Sequence, residues 1–292
     1  MSREKNLTGQ PKSLITGGET RYIFKHQVLN RYLVRYFCCL QTGFIQTEEP
    51  FWLDEAYSSP IANIDLGYVN RNIESSRLVT DLIDRCLPDF SSGLDYGGGY
   101  GIFVRRMRDL GFQFFRQDPH CPNLFAVHFD RADAPGQQFD VATAFEVFEH
   151  VPNPREVVQE LLELAPTIVF STELQPNTTI RSVNDWWYFI PETGQHISFY
   201  TRESLEFLAK QFGAKYYTDG VSLHVISREI LADEPFPPQR RATLFQRGLR
   251  KLHRIIKRVV DSPMPAQRAS LLKDDFERVR RLLNKPNQAD HE

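Results

Sequence analysis

Apolar positions along the chain fall into three regimes. From Tyr22 to Glu48 they come in short aromatic and β-branched runs (residues 22–24, 32–37 and 43–45), which predict a small antiparallel sheet. From Leu66 to Leu87 they recur at helical spacing, with Val69, Ile73, Leu78, Leu82 and Ile83 ahead of the stop at Pro88, so a long helix is expected. From Gly93 onward short buried runs alternate with amphipathic ones. Strands are expected over residues 94–96, 112–117, 124–129, 139–145 and 167–171, with helices over 100–110 and from 154 to before Pro166. A long aromatic insertion, 173–200, precedes a helix over 201–212 with Thr201 as its cap and Gly213 as its stop. Residues 216–218 and 222–227 then read as an antiparallel hairpin. Alternation of this kind predicts an α/β chain with a doubly wound, mostly parallel, seven-stranded sheet and an antiparallel last strand.

The flanks read differently. Residues 1–20 are polar and contain Gly9, Pro11, Gly17 and Gly18, as a loose leader would. Pro235, Pro237 and Pro238 mark a linker, after which Phe245, Leu249, Leu252, Ile256 and Val259 repeat at 4-3-4-3 spacing on one helical face. A shorter helix is expected over 271–283. The resulting division is a flexible leader (1–20), a ribbon-like β region (21–50), a helical lead-in (51–90), a ligand-binding domain (91–230) and a basic helical tail (231–292).

Charge adds one feature to this pattern. The net charge of -2 gives no global pull toward nucleic acid, yet residues 240–258 hold eight basic residues and no acid. That basic face suits an anionic membrane surface, a polyanionic partner, a phosphorylated substrate or plain solvent, and these readings stand side by side. Nucleic acid is not expected, because no aromatic-interleaved or zinc-based motif accompanies the charge. Residues 1–12 lack the apolar stretch of a signal peptide, and no apolar run approaches roughly 18 residues, so a cytoplasmic protein is expected. Four scattered cysteines, Cys38, Cys39, Cys86 and Cys121, suit reduced thiols rather than a disulfide framework.

The candidate chemistry centres on Asp95-Tyr96-Gly97-Gly98-Gly99-Tyr100-Gly101, a strand end, a glycine turn and a helix start. Such a turn lets a ligand approach the backbone at the carboxyl end of a strand. A dinucleotide fingerprint would place a third glycine where Ile102 stands. Asp118, ending the second strand before Pro119, offers a carboxylate to ribose hydroxyls.

Asp95 with Gly97, Gly99 and Gly101 resembles the acid-x-Gly-x-Gly-x-Gly turn of class I S-adenosylmethionine-dependent methyltransferases. The run Phe139-Asp140-Val141 leading into Glu146-Val147-Phe148-Glu149-His150-Val151-Pro152-Asn153-Pro154 is similar to the strand-four segment of their small-molecule branch, the methyltransferase domain 23 type. The resemblance implies a Rossmann-like fold, S-adenosyl-L-methionine as cofactor and a small-molecule substrate. It also implies that Asp95 contacts the methionine amino group through water and that Asp118 binds the ribose. The glycine backbone (Gly97, Gly98, Gly99, Gly101) lies against the cofactor, with Tyr96, Pro119, Phe145 and Glu146 beside it and Asp133 as the adenine contact.

Two weaker resemblances extend this one. Cys38-Cys39-Leu40-Gln41-Thr42-Gly43-Phe44 resembles half of a zinc-ribbon knuckle, with Thr42 in place of the second cysteine and no upstream pair, so a degenerate, metal-free ribbon is expected. The insertion, around Gln195-His196-Ile197-Ser198-Phe199-Tyr200, resembles the E-H-F-S-Y segment of sugar C-methyltransferases, in which the histidine is a base. That role falls here on His196, with Gln195 where the glutamate would be. His150, Trp187, Tyr188, Gln195 and Tyr200 are the expected substrate contacts, and Glu149 is expected to face solvent or brace the turn. The implied activity is methyl transfer to a small molecule, with a sugar or glycan precursor of cell-surface polysaccharide as the acceptor. A cofactor-binding scaffold or regulatory partner without turnover is the alternative.

Overall fold

The structure is a computed structural model that describes residues 10–57, 67–136, 138–237 and 268–283. The expected basic helix over 240–258 lies outside these residues. Strands β1 (Thr20–Val28), β2 (Tyr32–Cys39) and β3 (Ile45–Thr47) lead to helices α1 (Leu53–Ala56) and α2 (Tyr68–Cys86). Then follow β4 (Gly93–Tyr96), α3 (Ile102–Asp109), β5 (Phe114–Gln117), β6 (Val141–Ala144), α4 (Pro154–Leu164) and β7 (Thr167–Ser171). The chain continues through β8 (Ser198–Phe199), α5 (Arg202–Gln211), β9 (Lys215–Thr218), β10 (Leu223–Ser227) and α6 (Leu272–Leu283).

The larger sheet has the order β5-β4-β6-β7-β10-β9. Its first four strands are parallel, and β10 runs antiparallel to both neighbours. Helices cover both faces of a parallel sheet, so its strands read as continuous apolar runs rather than alternating ones. Every residue of β6 is buried, for example. The mostly parallel α/β class and the antiparallel last strand are as expected; among the described residues this sheet has six strands where seven were expected. Residues 124–129 form no strand; at their end the Arg116 amide donates to the Phe129 carbonyl (2.8 Å) and a single bridge joins Arg116 to Asp130. Asn123 closes that segment on itself, bonding both the amide and the carbonyl of Ala126 (2.9 and 2.7 Å), so its backbone turns instead of extending along β5.

Local chemistry explains the helix limits. Thr201 and Ser204 form a reciprocal capping box at α5, while Pro154 opens α4. Helix α2 buries Val79, Leu82, Ile83 and Cys86, whereas Val69 and Leu78 of the expected stripe face out.

A second, antiparallel sheet has the order β1-β2-β3-β8, so its fourth strand comes from the aromatic insertion. Phe24, Tyr36 and Trp52 pack there against Trp186, Phe189 and Phe199 in a separate core. Most of the insertion's aromatic density is therefore spent on packing. The free thiols of Cys38 and Cys39 lie at the end of β2.

The described parts of both flanks are tied to the core. Ile15 is fully buried in the main core, and Gln46 bonds the Leu14 amide (2.9 Å) and the Lys12 carbonyl (3.0 Å), so residues 12–15 are not a loose leader. Helix α6 is anchored by buried Asp275, which accepts from Arg108 (2.6 and 2.8 Å) and Arg105 (3.0 Å) on α3. Among the described residues, no helix is long and apolar enough to cross a membrane.

Candidate active site

The glycine turn joins β4 to α3 at the carboxyl edge of the parallel strands. Gly97 has φ +67°, and a Cβ there would meet Val147 Cγ2 at 2.7 Å, so both backbone and space require glycine. The turn is stitched to β5 from both sides. Its Gly97 amide donates to the Gln117 carbonyl (2.8 Å), its Gly99 amide donates to Asp118 (2.8 Å), and its Gly99 carbonyl accepts from Arg116 Nε (2.6 Å). Arg116 is buried, and its guanidinium also reaches Asp130 (2.8 Å) and the Cys121 carbonyl. From α2, the Tyr68 hydroxyl accepts from the Tyr100 amide at 3.1 Å.

Neither Arg116 nor Tyr68 stood out in the sequence. An arginine two residues before Asp118, directly after Phe114-Phe115, was the available signal for the first; nothing marked the second.

Asp95 lies within β4 beside this turn. It is buried and accepts a hydrogen bond from the Thr143 hydroxyl at 2.7 Å. Burial pushes its carboxyl up to about 7, with the Thr143 bond opposing that shift. Such a group favours a cation beside it, which suits an α-ammonium.

Asp118 accepts from the amides of Gly99 (2.8 Å), His120 (2.8 Å) and Cys121 (2.9 Å). A carboxylate has about four lone-pair directions, which leaves roughly one for a ligand. Asp118 therefore suits one ribose hydroxyl rather than the pair expected. These two carboxyls and the glycine turn fit an adenosyl-amino-acid cofactor.

The other expected cofactor contacts are placed unevenly. Phe145 packs against Phe103 of α3, with ring centroids 5.3 Å apart. Tyr96 instead sends its hydroxyl to Glu160 on α4 (3.1 Å). Pro119 follows Asp118 into its loop. Asp133 accepts from the Asp130 amide (3.0 Å), closing its own turn. Glu146 adopts φ +55°, a left-handed conformation that costs a non-glycine residue roughly 1–2 kcal/mol. It is held there by Ser171, whose Oγ accepts from the Glu146 amide (2.9 Å) and donates to its carboxylate (3.1 Å).

Beyond Glu146 the chain reaches a second polar cluster. Glu149 is fully buried rather than solvent-facing, because the Ile197 amide bonds its carbonyl (2.9 Å) and lays the insertion over the turn. Among the described residues, neither carboxyl oxygen of Glu149 has a hydrogen-bond partner. Burial foremost, then the charge of Glu146, raises its pKa.

His150 and His196 stand beside it, their rings edge to face at 4.9 Å. His150 Nδ1 meets the Gln195 carbonyl (3.1 Å) and His196 Nδ1 meets the Tyr188 carbonyl (2.7 Å). A carbonyl only accepts, so each Nδ1 carries the proton and each Nε2 a lone pair. Burial lowers His150 to about 4 and His196 to about 3, the latter helped by its neighbour, which keeps both neutral.

The remaining expected substrate contacts separate by exposure. Trp187 is 68% exposed, whereas Tyr188 is buried. The Gln195 side chain is committed to the Ala56 carbonyl (3.0 Å) and the Tyr200 hydroxyl to the Phe148 carbonyl (2.8 Å). Those two shape the site from behind.

A family model described as a methyltransferase domain matches residues 70–218, just over half of the 292 residues. No curated protein matches the chain. Similar solved structures include TnmH (TM-score 0.41, 13% identity, 61% of each chain covered). They also include CalO1, a methyltransferase in calicheamicin biosynthesis in its SAH-bound form (0.37, 16%, 60% of each chain). A third is magnesium protoporphyrin IX methyltransferase (ChlM) from Synechocystis PCC 6803 with bound SAM (0.35, 12%, 62% of this chain and 93% of that one). The match thus spans about three fifths of the length of TnmH and CalO1. With the glycine turn, both carboxyls and the turn after β6 all inside the matched span, the chain belongs to this methyltransferase-domain family.

Proposed function

We propose that this protein binds S-adenosyl-L-methionine and transfers its methyl group to a small-molecule acceptor. The observation that carries the reading is the pairing of buried Asp95 with a left-handed glycine turn at the carboxyl ends of adjacent parallel strands. When bound, the cofactor supplies an electrophilic methyl carbon on a sulfonium.

The chain's own groups do the rest. Asp95 balances the amino-acid ammonium, Asp118 takes a ribose hydroxyl, and the backbone of Gly97–Gly101 lies alongside. Phe145 and Glu146 border the sulfonium side. Methyl transfer is an in-line displacement, so alignment supplies much of the rate. His196, neutral with its Nε2 lone pair free, is the base in this reading and takes the proton that an acceptor hydroxyl loses as the new bond forms. Burial makes it a weak base in the free protein, so the role requires a bound ligand to raise its pKa.

His150, Trp187 and Tyr188 are the acceptor contacts in this reading. Exposed Trp187 offers a flat apolar face, which suits a sugar or glycan precursor. The four free thiols favour the cytoplasm, and the basic segment 240–258 would meet a polyanion or a membrane surface. Isothermal titration of the full chain with S-adenosylmethionine and S-adenosylhomocysteine tests the cofactor assignment. Stoichiometric binding is expected, and folded protein that binds neither would refute it.

A further inference from the structure

Glu149, His150 and His196 converge beyond the glycine turn, with the Thr172 and Tyr188 hydroxyls beside the Glu149 carboxyl. Glu149, His150 and His196 each offer one ligand atom, and these atoms all lie within 4.8 Å of one another. Among the described residues, both Glu149 oxygens are buried without a partner, as are the hydroxyls of Thr172 and Tyr188. A buried carboxyl without a well-formed hydrogen bond is costly, the hydroxyls of Thr172 and Tyr188 approach it without completing one, and the two neutral imidazoles offer it only lone pairs. A cation satisfies all three at once.

We infer that Glu149, His150 and His196 form a binding site for a divalent transition metal, with zinc the best match. Two imidazoles and one carboxylate are a known zinc donor set that leaves a fourth position open. Each imidazole already donates its Nδ1 proton to a backbone carbonyl, the outer bond that fixes the tautomer and aims Nε2 at an ion. Ligand atoms of a zinc tetrahedron stand about 3.3 Å apart, so the group closes on an ion by modest side-chain rotations. Both histidines are only partly buried, whereas Glu149 is fully buried behind them.

The fourth position would hold water or an acceptor oxygen, and the ion would lower the pKa of that oxygen. In the loaded state the His196 lone pair is committed to the ion, which then replaces the imidazole in activating the acceptor. That consequence rests on the methyl-transfer reading; the metal site itself does not.

Titration of chelator-stripped full-length protein with zinc chloride tests the site. One ion per chain is expected, with about tenfold or greater loss of affinity in Glu149→Gln and in His196→Gln. Circular dichroism of each variant separates lost binding from lost fold, and Glu149→Gln preserves side-chain volume. Cobalt-loaded protein should show d–d bands without a sulfur-to-metal charge-transfer band. A folded wild type that binds no zinc, a Glu149→Gln variant with wild-type affinity, or a thiolate band placing the ion on Cys38 and Cys39 would each overturn the assignment. S-adenosylmethionine binding by the stripped protein is read separately, so failure of one reading is distinguishable from failure of the other.

Discussion

The Ile197 amide donates to the Glu149 carbonyl at 2.9 Å, joining the aromatic insertion to the turn that follows β6. The residues flanking this bond are His196 on one side and His150 on the other, which is why their rings meet. The bond explains how two histidines forty-six positions apart come to share one buried pocket.

Replacing His196 by Asn should lower turnover by roughly 10²–10⁴-fold, the usual worth of a positioned acid–base group. The affinity for S-adenosylmethionine should stay within about twofold, since Asp95, Asp118 and the glycine turn are untouched. Steady-state kinetics beside calorimetric titration checks this, and a variant with full turnover would exclude the base.

Asp95 should make stability depend on pH in a stated direction. Its carboxyl is raised by burial from 3.8 to about 7, so the folded state keeps a proton that the unfolded chain has lost. Stability present below about pH 4 is therefore lost as pH rises to about 7, at roughly 1.4 kcal/mol per pH unit. Asp95→Asn has no such proton, so its Tm relative to wild type should climb from pH 4 to 7 and level off above. A gap that does not vary with pH would contradict this account.

Asp118→Ala removes the acceptor of three backbone amides, including that of Gly99. Each orphaned amide costs on the order of 1 kcal/mol where water cannot replace the bond. Cofactor affinity should fall about tenfold or more, with Asp118→Asn intermediate. Calorimetry on both variants gives the ranking.

Asp275→Ala strands Arg108 as a buried, unpaired guanidinium beneath α6. Breaking a buried pair on one side costs about 3–5 kcal/mol. Denaturant melts should show a loss of that size, and limited proteolysis should cut first near α6.

Much of the cofactor end was legible because its signals are local. Asp95, the glycines and Asp118 are fixed by the period of a βα unit, and Thr201 and Pro154 marked helix starts by rules that act within one turn. The acceptor end was not legible for the same reason inverted. Glu149 reads as a polar residue on a turn, and only Ile197, far along the chain, buries it. Ile15 looked like part of a polar leader because its sequence neighbours are polar and glycine-rich, and the groups that hold the segment, among them Gln46 on Leu14 and Lys12, lie about thirty residues away. The seventh strand failed at Asn123, whose side chain bonds its own segment before a ladder can form.

The pairing of Ile45 with Phe199 sets an order of assembly. During synthesis β1, β2 and β3 emerge first, yet the fourth strand of their sheet is released only after β4 to β7 have left the ribosome. The small sheet thus waits, an edge of β3 unpaired, while the parallel strands of the larger sheet are already available to fold. Long-range closures of this kind are slow and come late. The strands that carry the cofactor cradle therefore leave the ribosome before the segment that completes the pocket facing it, and a chain arrested before Phe199 would hold the residues for the methyl donor without those that enclose its acceptor.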